Sequence, residues 1–84
     1  MEQIMEVHYY TRKKCQLCEE GKLLLRLLQK EYAFEMIEKD IDSSDELTEK
    51  FGLMIPVVEI SGEIIQYGRI DLPALEEKLK ENLK

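Results

Sequence analysis

Apolar and polar positions alternate along this chain with two different periods, and the places where the period changes mark its elements. Glu6 to Tyr10 (EVHYY) is rich in β-branched and aromatic residues and gives way to polar Thr11 to Lys14, which predicts a first strand and a break. From Cys15 to about Tyr32, the positions Leu17, Gly21, Leu24, Leu25, Leu28 and Tyr32 recur at three- and four-residue spacing, the stripe of an amphipathic helix, with Leu23 and Leu27 widening it. Phe34 to Ile41 alternates in part and predicts a second strand that ends in an acidic turn. Ser43, followed three residues later by Glu46, makes a capping box for a short helix that runs to Phe51 and stops at Gly52. Val57 to Ile60 and Glu63 to Tyr67 are short strand-like runs joined by Ser61-Gly62, a pair suited to a two-residue hairpin turn. Asp71 then caps a last helix from Leu72 to about Leu83, with Pro73 in its first turn and Leu72, Leu75, Leu79 and Leu83 along one face.

The resulting order, βαβαββα, restricts the topology. Two strands joined by a long helix form a parallel crossover, and the hairpin extends the same sheet in the antiparallel sense. The expectation is an α/β chain with a thioredoxin-like fold, a mixed four-stranded sheet and helices on both faces. A length of 84 residues leaves room for one domain, 1–84, because two cores this small would bury too little apolar surface. No apolar run approaches the roughly 18 residues that a membrane span requires. Acidic residues outnumber basic ones by 18 to 12, so the average field repels phosphate backbones and a nucleic-acid partner is not expected. Met1 to Glu6 has neither the basic start nor the apolar stretch of a secretory signal, so a monomer in a reducing cytoplasm is the expectation.

Cys15 and Cys18 are the only cysteines. A bridge between them closes so short a loop that it would stabilise the fold by roughly 2 kcal/mol, near the low end for disulfides, so stability is a poor reason for the pair. Their position is a better one. Cys15 stands where a loop enters a helix, so unpaired N–H groups and the positive end of the helix dipole point at its sulfur. Arg12, Lys13 and Lys14 come immediately before it, and positive charge favours the thiolate that nucleophilic attack needs. Cys18, one turn on and deeper, is placed to resolve a mixed disulfide formed at Cys15.

Gly21 costs its helix roughly 1 kcal/mol relative to alanine, which points either to close packing there or to simple tolerance. His8, a lone histidine on a central strand, reads as structural. Pro56 after Ile55 is either a plain strand-start proline or a cis residue whose neighbour offers unpaired backbone to an incoming peptide.

With Cys15-x-x-Cys18 after a first strand, Ile55-Pro56-Val57 before the hairpin, and Gly68 with Asp71-Leu72 before the last helix, the whole chain resembles the glutaredoxin family, in particular its small bacterial members. The resemblance implies a cis-Pro56 facing the two sulfurs, and Ile55 backbone groups that pair with bound glutathione or peptide like an added strand. It also implies that Arg12, standing where glutaredoxins carry a lysine, meets a substrate carboxylate. The sequence departs from the family in two places. Gln16-Leu17 replaces the usual Pro-Tyr between the cysteines, so a redox potential does not transfer. Tyr67-Gly68 and Ile70-Asp71 replace a glycine pair and an acidic pair, so a carboxylate expected to grip the amino group of glutathione is missing. Tyr67 either lines the groove or covers the sheet edge, and Arg69 either binds another acidic feature or is solvated.

The function expected is thiol-disulfide exchange, with Cys15 as nucleophile and Cys18 as resolving thiol. The partners are a disulfide-bearing protein or glutathione, and a reductant that is glutathione or a thioredoxin-reductase-type enzyme. No tightly bound cofactor is expected, glutathione entering as a co-substrate. The alternative is metal binding or trafficking by the same thiols, Cu(I) or a cluster shared between chains, since soft thiolates suit such ions. Copper chaperones, however, carry methionine where this chain has Lys13, and two strands after the first helix. Zinc would find at most three ligands in Cys15, Cys18 and His8.

Overall fold

The computed structural model describes residues 4–82. The strands are β1 (Met5–Thr11), β2 (Phe34–Asp40), β3 (Val57–Ile60) and β4 (Glu63–Tyr67), and the helices are α1 (Gln16–Gln29), α2 (Asp45–Phe51) and α3 (Leu72–Asn82). They form one sheet in the order β2-β1-β3-β4, with β1 and β2 parallel and the other neighbours antiparallel. This is the α/β thioredoxin-like arrangement that the element order implied. Leu83 of the last stripe, and Met1 to Gln3 of the N-terminal stretch, lie outside the described residues.

Strand parity divides the core. Val7 and Tyr9 of β1, with Val58 and Ile60 of β3, meet Leu25 and Leu28 of α1 and Leu75 and Leu79 of α3 on one face of the sheet. Tyr10 and Val57 point to the other face, where Phe51 of α2 and Ile41 cover them, the Tyr10 and Phe51 rings lying 4.5 Å apart. Helices therefore cover both faces. Among the described residues no helix is long and apolar enough to cross a membrane.

The hairpin turn is as its residues require. Ser61 and Gly62 both have positive φ, 52° and 80°, the backbone of a turn whose twist matches the strands it joins. At the last helix Asp71 Oδ2 accepts the Ala74 N–H at 3.2 Å, the expected cap.

Four expectations are corrected. Ser44, not Ser43, caps α2: its Oγ accepts the Leu47 N–H at 3.3 Å. Ser43 is drawn into a single 3-10 turn, Ile41–Ser43, where its hydroxyl donates to the Asp40 carbonyl at 2.6 Å while Asp40 Oδ1 accepts the Asp42 N–H. That turn also ends β2 at Asp40 and buries Ile41 completely. The apolar stripe of α1 is narrower than predicted, because Cys18, Gly21, Leu25 and Leu28 form the buried face while Leu17, Leu23 and Leu27 are exposed. The helix ends at Gln29, and Tyr32 packs against the core from beyond it.

Burial of Tyr9, reinforced by the charges of Glu38 and Glu19, pushes its phenol above the ordinary value of 10.0. The native state thus favours the neutral phenol. The stability this represents is present below about pH 10, where the unfolded chain's tyrosine is also neutral, and is lost as pH rises beyond it. Urea unfolding followed by circular dichroism should show stability falling above about pH 10, less steeply in Tyr9→Phe. A flat profile in the wild type to pH 11 would contradict the burial.

Candidate active site

The site is built where β1 hands the chain to α1. Thr11, the last residue of β1, is buried, and its hydroxyl donates to Glu38 Oε2 at 3.4 Å. Lys14 then takes a left-handed backbone, φ 56°, which turns the chain into the helix. Cys15 itself is the N-cap of α1, with extended dihedrals, and its Sγ accepts the Cys18 N–H at 3.1 Å. A sulfur in the place of a capping oxygen receives an otherwise unpaired helix N–H, and the dipole of fourteen helical residues adds to its stabilisation when ionised.

Cys15 and Cys18 form a disulfide, their Cα atoms 5.2 Å apart. Cys15 is partly accessible, whereas Cys18 is only 3% exposed. The Cys18 carbonyl accepts a 2.8 Å hydrogen bond from the Tyr9 hydroxyl, which ties the first turn of α1 to the central strand. A crevice of about 320 Å³ reaches Cys18 from the flank, with Arg12, Lys13, Glu19, Glu38 and Asp40 among its walls. Burial disfavours negative charge on Cys18. The thiolate is better placed on Cys15.

Of the three cations before Cys15, Arg12 is committed within the fold. Its Nε lies 3.1 Å from Asp42 Oδ2, and its Nη2 lies 3.1 Å from Oδ1. Lys13 and Lys14 are exposed and make no ion pair among the described residues. The Ile55–Pro56 peptide bond is cis. Tyr10 pairs with Val57 and Val57 with Tyr67, so the loops around Cys15, Pro56 and Gly68 all leave the sheet at one end. The Gly68 N–H donates to the carbonyls of Met54, at 2.9 Å, and Pro56, at 2.8 Å, which holds the last two loops together. Ile55 makes no hydrogen bond to the described residues, while Tyr67 and Arg69 are exposed. His8 lies apart, on the sheet face away from α1, with Nε2 3.5 Å from Glu6 Oε1.

The family described as "Glutaredoxin-like domain (DUF836)" matches residues 6–80. The chain belongs to that family. Its cysteine pair, cis-proline and βαβαββα order are thus those of a glutaredoxin-like, thioredoxin-fold domain with a C-x-x-C disulfide, as the motifs implied. The fold is similar to the solution NMR structure of a protein from Nitrosomonas europaea, at 27% identity and a TM-score of 0.80 over 94% of this chain and 95% of that one. A crystallographic structure from X. campestris is similar at 24% identity, TM-score 0.76, over 89% and 96% of the two chains. A mutant thioredoxin from Halobacterium salinarum shares the fold at 18% identity, TM-score 0.71, over 95% of this chain and 75% of its own. No curated protein matches the sequence.

Two residues of this glutaredoxin-like site are not evident from its motifs. Tyr9 holds the Cys18 carbonyl, and strand parity alone places it on the α1 face. Asp42 occupies Arg12 from a turn far along the chain, and no local pattern announces such a pair.

Proposed function

We propose that this glutaredoxin-like chain is a dithiol oxidoreductase that reduces disulfides of proteins or glutathione. The observation that carries the reading is the helix-capping sulfur of Cys15, accessible and held by the Cys18 N–H. In the reduced protein the Cys15 thiolate attacks one sulfur of a substrate disulfide, forming a mixed disulfide, and the departing substrate thiolate takes up a proton. Cys18 then loses its proton and attacks the Cys15 sulfur. This expels the second substrate thiolate, which is protonated in turn, and leaves the Cys15–Cys18 disulfide. Two electrons have passed to the substrate. An external reductant, glutathione or a thioredoxin-reductase-type enzyme, returns them to the pair.

The free backbone of Ile55 beside cis-Pro56, with Tyr67 and Gly68 opposite, supports substrate binding as an added strand. Arg12 reaches a substrate carboxylate only by sharing or leaving Asp42, whereas Lys13, Lys14 and Arg69 carry no ion pair among the described residues and are free to take that role. No bound cofactor enters the scheme.

Cys18→Ser supplies the test. Mixed with a peptide disulfide, the reduced variant should accumulate an adduct on Cys15 that mass spectrometry detects and a dithiol reductant removes. Rapid release of substrate thiol without an adduct would show that Cys18 is not the resolving group. Titration of the wild type against glutathione buffers gives the potential, each 30 mV corresponding to about 1.4 kcal/mol.

A further inference from the structure

Seven large apolar side chains are exposed among the described residues, and three of them, Leu17, Leu53 and Tyr67, belong to the segments that surround the disulfide. Scattered exposed leucines are ordinary. These three lie on segments at the end of the sheet that carries the disulfide, and exposed apolar surface gathered at such an end is what interaction sites use. Leu17 lies inside the C-x-x-C loop. Leu53 is 103% exposed on the turn that leads into Ile55–Pro56, and Tyr67 is 59% exposed beside Gly68, whose hydrogen bonds tie it to that turn. On the same segments the Ile55 backbone makes no hydrogen bond to the described residues, and Lys13, Lys14 and Arg69 make no ion pair among them.

Glutathione does not match this lining. It is small and wholly polar, and its free ammonium group needs a carboxylate. Of the two positions before α3, Ile70 sends its side chain into the core, and the Asp71 carboxylate accepts the Ala74 N–H as the helix cap.

We propose that the disulfide this site reduces lies in an extended protein segment with apolar residues beside the cysteine and acidic residues around them, recognised by Leu17, Leu53, Tyr67 and the Ile55 backbone. The inference rests on the redox reading above and specifies its substrate. The chemistry is unchanged: the substrate disulfide becomes two thiols, and the Cys15–Cys18 dithiol becomes a disulfide. Apolar contacts supply affinity, the Ile55 backbone sets the direction of the segment, and Lys13, Lys14 and Arg69 favour an acidic partner.

The test uses three oxidants with the reduced full-length protein: a peptide disulfide with leucine and glutamate flanking the cysteine, the same peptide with glycine and serine there, and glutathione disulfide. Rates are read by mass spectrometry after acid quench, and Cys15 alkylation by iodoacetamide is followed in parallel. The leucine-glutamate peptide should react roughly tenfold faster than either of the others, a difference of the size that a few apolar contacts provide. Leu53→Ser, at a side chain that packs on nothing, should erase most of that preference. Equal rates, or glutathione disulfide fastest, with Cys15 still readily alkylated, would overturn the inference and leave the redox reading standing. If none of the oxidants reacts and Cys15 resists alkylation, the redox reading fails and takes the inference with it.

Discussion

Cys15→Ser should lose reduction of a peptide disulfide by on the order of a thousandfold or more, the scale expected when a nucleophile is removed from a site whose groups act as a unit. Its fold should survive. Serine is among the best N-caps, so its hydroxyl can accept the N–H that Cys15 Sγ now accepts, and α1 keeps its start. Stability and activity are therefore expected to part company, which a urea titration beside the rate measurement would display. Cys18 is a poor substitute as nucleophile, being only 3% exposed. If Cys15→Ser retained a tenth of the wild-type rate, the roles assigned to the two sulfurs would have to be exchanged.

The second large effect concerns Gly21, where two physical terms oppose each other. Helix propensity favours alanine by roughly 1 kcal/mol. The packing does not, because a Cβ at Gly21 would collide with the Tyr9 hydroxyl and come within 2.9 Å of Ile70 Cγ1. To make room, Tyr9 must loosen its 2.8 Å bond to the Cys18 carbonyl in a fully buried place. Overpacking and an unsatisfied buried hydroxyl each cost about 1–3 kcal/mol, so after the propensity gain the net for Gly21→Ala is a destabilisation of about 1–5 kcal/mol. The midpoint of urea unfolding reads it directly. A neutral or stabilising result would mean that Gly21 is tolerated rather than required. The same substitution releases the carbonyl of Cys18, the resolving thiol of the proposed scheme, so its effect on exchange should exceed that of an equally destabilising change elsewhere in the core.

Local chemistry made much of this molecule legible. β3 and β4 fall where their apolar runs place them, because Ser61-Gly62 admits a tight turn and little else. Cys15 falls at a helix start because polar residues precede it and an apolar stripe follows. The shift of the α2 cap from Ser43 to Ser44 was not legible, since Glu46 completes a capping box with Ser43 and so favours the serine that is not the cap. The choice is made by Ile41, whose burial in the core beneath α2 pulls Ser43 into the preceding turn. Periodicity also overestimated the buried face of α1. Leu23 and Leu27 fit a helical spacing, yet a single sheet beneath the helix can cover only part of its circumference. The Arg12–Asp42 pair and the contact of Tyr9 with the first turn of α1 depend on how the crossover packs, which no window of sequence contains. The cysteines were readable because their chemistry is local, and their supports were not because those are tertiary.

The place of β1 has a consequence for how the molecule comes into being. It is made first, yet it sits between β2 and β3, so one of its ladders must wait for a strand from the far half of the chain. Loop closure on that scale precedes the contacts that reward it. During synthesis the cysteines therefore emerge long before the core that will shelter Cys18, and any fragment ending ahead of Ile60 leaves both cysteines on an unfinished scaffold.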